Sequence, residues 1–189
     1  RIWERTVQQP VGQADFSQQK DLLRWSEGQQ LYELDTQPPY SSRLLWTGEK
    51  TDQPLKHFAF SPNEQRIAVS HANQTGIRLV DSQRQQVLPL LDYHLLPLVD
   101  FYFSTDQQLV SIDEERNLLW GNSESRLQEH RPELELSNQS KPERLLPLPG
   151  DKLAVISTEG DTTKAHIFNQ EGAEQQPVSY THLRAHETN

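Results

Sequence analysis

The chain has 189 residues, a net charge of −9 at pH 7 and no cysteine. The missing thiols exclude a disulfide framework and any thiolate metal site, and they leave the compartment unassigned. The acidic balance argues against a nucleic-acid surface, which needs clustered Lys and Arg to release counterions, and no apolar run approaches the roughly 18 residues of a membrane span. Hydrophobic content is 33% and mean hydropathy −0.81. Because the apolar residues come in clusters, they predict many short strands with polar turns and not disorder.

The sequence opens on Arg1-Ile2-Trp3-Glu4 and contains no Met. Residues 1–10 therefore read as the tail end of a preceding unit. From residue 11 one pattern recurs. Phe16, Phe60, Phe103 and Leu148 end four apolar runs at spacings of 44, 43 and 45, and a proline stands six residues before each: Pro10, Pro54, Pro97 and Pro142. Proline lacks a donor and fixes φ, so it suits the position just before a strand joins its ladder. A second run follows each anchor (Leu22 to Trp25, Ile67 to Val69, Leu109 to Ile112, Leu153 to Ile156). A third comes after a polar turn (Leu31 to Leu34, Ile77 to Val80, Leu118 to Trp120, His166 to Phe168). Fourth, less regular runs are Arg43 to Trp46, Val87 to Leu91 and Arg126 to Leu136. Four antiparallel strands every 40–45 residues is the arithmetic of a β-propeller blade. The fold class expected is all-β, a propeller fragment of about four four-stranded blades at residues 11–46, 55–91, 98–136 and 143–177.

Phe60-Ser61-Pro62-Asn63, Leu34-Asp35, Val80-Asp81, Trp120-Gly121 and Tyr93-His94 together resemble the signatures of the WD-repeat family over roughly 11–169, in degenerate form. Residues Val178 to Thr188, VSYTHLRAHET, resemble one frame of translated sequencing-adapter DNA. Residues 178–189 are therefore set aside as a tail, and His182 and His186 with them, despite a spacing that would suit a metal.

Side chains alternate along a strand. Ala14/Phe16, Phe58/Phe60, Phe101/Phe103 and Leu146/Leu148 are expected to pack between neighbouring sheets. The opposite face of each first strand would line a central channel. It carries Gln13, His57, Asp100 and Leu145 at one level, and Asp15, Ala59, Tyr102 and Pro147 at the next. Asp15, His57 and Asp100 either converge on a ligand or are hydrogen-bonded between blades, and the second reading is favoured. The resemblance further implies a buried chain of His94, Ser111, Asp113 and Trp120; the alternative is that His94 lies in a surface loop.

The chain carries no phosphate loop, nucleophile elbow or zinc spacing, so no catalytic residue, metal or cofactor is assigned. The resemblance implies a non-catalytic scaffold with a protein partner. Its contacts would lie on the rim at Lys50, Thr51, Asn73, Gln74, Glu114, Arg116 and Asp161. The alternatives are a small-ligand receptor or enzyme using the channel, and a sensor domain of a larger signalling protein.

Overall fold

A computed structural model of the chain describes residues 9–17, 20–48, 53–123, 128–130, 136, 139–150, 152–168 and 174–181. These residues form sixteen strands and no helix, so no helix is long and apolar enough to cross a membrane. The first sheet is β1 (Val11–Phe16), β2 (Leu22–Glu27), β3 (Gln30–Asp35) and β4 (Ser42–Thr47). The second is β5 (Leu55–Phe60), β6 (Arg66–His71), β7 (Arg78–Asp81) and β8 (Gln86–Val87). The third is β9 (Leu98–Phe103), β10 (Gln108–Asp113), β11 (Leu118–Asn122) and β12 (Gln128–His130). The fourth is β13 (Lys141–Leu148), β14 (Lys152–Glu159), β15 (Thr162–Phe168) and β16 (Glu174–Thr181). Each is a four-stranded antiparallel meander in sequence order. The predicted fourth run Arg43 to Trp46 lies within β4, and Val87 to Leu91 is reduced to the two-residue β8 with one further bridge, Ile77 to Leu91; of Arg126 to Leu136, residues 126–127 and 131–135 lie outside the described residues. Lys50, Thr51, His182 and His186 lie outside the described residues, as do residues 1–8. β16 begins before the supposed adapter segment and runs four residues into it, with Val178 paired to Ala165.

The recurrent prolines act through their carbonyls. Pro10, Pro54 and Pro97 accept bonds from the amides of Gly28, Ala72 and Glu114, at 3.3, 3.0 and 3.2 Å. Each proline thus ties the start of a first strand to the turn between the second and third strands of its own sheet, and its missing N–H is not needed there.

Just after these prolines every first strand carries a bulge, which leaves Lys56, Val99 and Glu143 as the unpaired residues. The bulges correct the register of the fourth sheet. Leu145 pairs Val155 as Phe58 pairs Val69, so Pro147, not Leu148, stands at the position of Phe60. Pro142 sits inside the ladder opposite Ser157, one place beyond Pro54. Leu145 is accordingly 4% exposed and packs in the core, whereas Leu146 is 40% exposed.

The core lies between sheets. Phe58, Ile67 and Val69 pack on Leu31 and Trp46 of the first sheet. Phe101, Phe103 and Leu109 pack on Ala68 and Leu79 of the second. Leu145, Leu153 and Val155 pack on Val110, Ile112 and Trp120 of the third. At about 1.5–3 kcal/mol per large side chain, this burial is the main term holding successive sheets together. Phe16, at the position of Phe60, is 65% exposed, because no described sheet stands on that side of β1. Gly12 shows how tightly the first strands approach. A Cβ there would lie 2.4 Å from the carbonyl oxygen of Leu55 in the second sheet.

Candidate functional site

The first strands β1, β5, β9 and β13 line a cavity of about 540 Å³. With the fourth register corrected, Arg144 and not Leu145 joins the level of Gln13, His57 and Asp100. Two of these side chains bridge sheets. Gln13 Oε1 accepts from the Phe58 amide at 2.8 Å. Asp100 Oδ2 accepts from the Leu145 amide at 2.8 Å, and its Oδ1 takes its own neighbour's amide, Phe101 N, at the same distance.

That second bond occupies the donor which, by the repeat, would serve His57. The imidazole is left 3.9 Å from Asp100 Oδ1, too far for a hydrogen bond. It lies edge-on to the Phe101 ring, with centroids 6.2 Å apart. Its Nε2 is buried with no hydrogen-bond partner among the described residues. Asp15 does not join them: it is exposed, and its Oδ1 accepts the Phe16 amide at 2.8 Å.

On the third sheet, His94 is 4% exposed and not in an open surface loop. Its Nδ1 lies 3.1 Å from Asp113 Oδ2 and its Nε2 2.8 Å from Ser111 Oγ. The carboxylate can only accept, so Nδ1 carries the proton shared with Asp113, and Nε2 faces the serine hydroxyl. Trp120 is not on that face. Ser111 pairs Leu119 while Trp120 pairs Val110, and cross-strand partners share a face. The indole packs instead towards the fourth sheet with Ile112 and Leu145.

A charged cluster between the first two sheets was not anticipated from sequence. Arg24, 4% exposed, donates from Nε to Glu33 Oε2 at 2.9 Å and pairs through Nη2 with Glu64 Oε1 at 3.0 Å. Its guanidinium lies 3.7 Å over the Phe60 ring, a favourable cation–π placement. Arg43 and Lys20 neutralise the same carboxylates from outside, each at 2.8 Å.

The rim candidates fall in equivalent turns. Asn73 and Gln74 lie between β6 and β7, Glu114 and Arg116 between β10 and β11, and Asp161 between β14 and β15. Antiparallel order puts these turns at the same end of each sheet as the start of its first strand. Asn73, Glu114 and Asp161 are exposed. Gln74 contributes a carbonyl that takes the Leu98 amide at 3.1 Å, and Arg116 reaches the Leu136 carbonyl at 3.3 Å.

Among solved structures, three are similar, two of them described as WD40 repeats or a β-propeller domain. They are the RRP9 WD40 repeats (12% identity, TM-score 0.67), U3-55K (12%, 0.68) and the Cps50 (Swd1) β-propeller domain of Myceliophteria thermophila (11%, 0.72). They cover 94%, 94% and 95% of this chain. The fold is that of β-propeller blades. The chain spans about half the length of these structures, 52%, 53% and 58% respectively. No family model and no curated protein matches it.

The propeller's channel carries a pH dependence. Burial first, and then the charges of Lys56 and Arg144, lower His57 from 6.5 to about 4. Unfolded, the ring takes its proton near 6.5; folded, it resists until about 4. The stability it contributes is complete above 6.5 and drains as pH falls through that window. Asp100 has the opposite sign, since burial raises it against the pull of the Leu145 and Phe101 amides. In urea titrations at pH 7.5, 5.5 and 4, the wild-type midpoint is expected to fall more than that of His57→Gln. Equal falls would remove His57 as the cause.

Proposed function

We propose that these blades serve a non-catalytic protein-interaction scaffold, and that its contact surface is the rim bearing Asn73, Gln74, Glu114, Arg116 and Asp161. The observation that carries this reading is how the channel side chains are used. Gln13 and Asp100 hold backbone amides of the next blade, so they join sheets and do not form an acid–base pair. Exposed turns with irregular backbone, by contrast, recur on one rim. Asn73 and Arg116 adopt φ of 59° and 73° there, and a surface of non-repeating turns on a rigid frame suits recognition.

A second reading, a small-ligand receptor, is favoured by His57, whose buried Nε2 beside the cavity has no hydrogen-bond partner among the described residues. Co-precipitation of partners by the intact protein separates the two. A scaffold keeps its partners in His57→Ala and Asp100→Asn, and loses them when Asn73, Glu114 and Asp161 are replaced by alanine. The reverse pattern would falsify the scaffold reading and leave the channel as the site.

A further inference from the structure

The most distinctive surface lies on the third blade, beside His94. The connection from β8 to β9 and the turn from β10 to β11 enclose a recess of about 410 Å³, walled by Tyr93, Leu95, Leu96, Glu115 and Leu119 among others. Its walls are fixed without a ligand. Leu91 exchanges two backbone bonds with Ile77, at 2.8 and 2.9 Å, and Leu98 N donates to Gln74 O at 3.1 Å. The Tyr93 ring lies so close over Gly121 that a Cβ there would meet it at 2.5 Å. His94 is held by Asp113 and Ser111.

On this pinned segment Leu95 stands 95% exposed. A leucine held out from a tethered backbone forgoes about 1.5–3 kcal/mol of burial that a partner could supply. The charges around it are mostly negative. Glu115 lines the recess, Glu114 and Asp92 are exposed beside it in sequence, and among the described residues no Lys or Arg lines it. Asp113 is already committed to His94 and Asn117, and Arg116 donates to the Leu136 carbonyl.

We propose that this recess docks a partner protein's segment bearing one large aliphatic side chain flanked by Lys or Arg. The aliphatic group enters against Leu95, Leu96 and Leu119, and the flanking cations meet Glu115 and Glu114. The inference rests on the rim reading above and names the occupant of one part of that rim.

The probes are four fluorescein-labelled peptides with the cores Lys-Arg-Leu-Arg-Lys, Lys-Arg-Ala-Arg-Lys, Ser-Ser-Leu-Ser-Ser and Glu-Glu-Leu-Glu-Glu, followed by fluorescence anisotropy with the intact protein. The first should bind saturably, and each of the others at least about tenfold more weakly. Leu95→Asp and Glu115→Lys should each weaken the first peptide by a similar factor, while Gln83→Ala, exposed in the turn between β7 and β8 at the other end of the second sheet, leaves it unchanged. Both altered side chains are exposed, so thermal melts should be unaltered. No binding of the first peptide, equal binding of the acidic one, or indifference to Leu95→Asp overturns the proposal. Co-precipitation with the same variants separates this failure from the larger one. Partners lost by Asn73→Ala or Glu114→Ala but kept by Leu95→Asp leave the rim and remove the recess; partners kept by all three remove both.

Discussion

Arg24→Ala is expected to destabilise the protein by about 3 kcal/mol, because it removes the cation that joins buried Glu33 to part-buried Glu64. Glu33 is 5% exposed, and Glu64 receives Arg24, Lys20 and the Ser17 hydroxyl together. Removing one partner of a buried pair costs about 3–5 kcal/mol. The lower end applies here because Arg43 still holds Glu33 and Lys20 still holds Glu64. Those two cations are 72% and 60% exposed, so Arg43→Ala or Lys20→Ala should cost under about 1 kcal/mol. Arg24→Lys should not rescue. A single ammonium cannot span Glu33 and Glu64 from two nitrogens while lying flat on Phe60. Urea melts of the four variants rank these effects, and an Arg24→Ala loss no larger than that of Arg43→Ala would show the cluster is not a buried one. Acid acts on the same cluster. Burial alone would raise Glu64, but Lys20, Ser17 and Arg24 hold it at about 2 against an ordinary 4.5. Its stabilisation is therefore present above 4.5 and lost towards 2.

Half of that cluster was open to a reader of the sequence. Arg24 and Glu33 sit equally far on either side of the Gly28-Gln29 turn, and hairpin pairing sets them opposite each other. Glu64 was not readable, since it comes from the next blade and only the packing of one sheet on another brings it near. The strands themselves followed from alternation and turns, because each blade is a local meander. Registers followed less well, since one bulged residue flips every side chain after it. Choosing Leu148 as the fourth anchor favoured an apolar residue over the count from the bulge, and it placed Leu145 in the channel where Arg144 belongs. Trp120 failed for a similar reason. The Asp113–Asn117 turn sets Leu119, and not the tryptophan, across from Ser111. The readable part of the His94 chain was the part separated by two residues along one strand, Ser111 and Asp113, whose side chains must share a face.

Asp113→Ala should be the most damaging single change outside the large apolar side chains, costing on the order of 3–5 kcal/mol. Its side chain is 1% exposed and accepts four hydrogen bonds. They come from His94 Nδ1 at 3.1 Å, Asn117 Nδ2 at 2.8 Å, Asn117 N at 2.9 Å and Glu115 N at 3.0 Å. Alanine removes all four acceptor contacts at once and strands the imidazole proton, while Arg116 in the same turn must still hold φ of 73°. Asp113→Asn separates charge from shape. It can still receive the two backbone amides through one oxygen but presents donors to His94 and Asn117, so an intermediate loss is expected. The carboxyl's own titration supplies the second check. Burial would raise it, but His94 and Asn117 hold it below the ordinary value of 3.8. The wild type should therefore lose stability as pH falls below that value, through the depressed folded one, and Asp113→Ala should lose correspondingly less there. A double-mutant cycle with His94→Ala, followed by chemical denaturation, measures the pair directly. A coupling energy near zero would mean that the turn, and not the histidine, is what Asp113 holds in place.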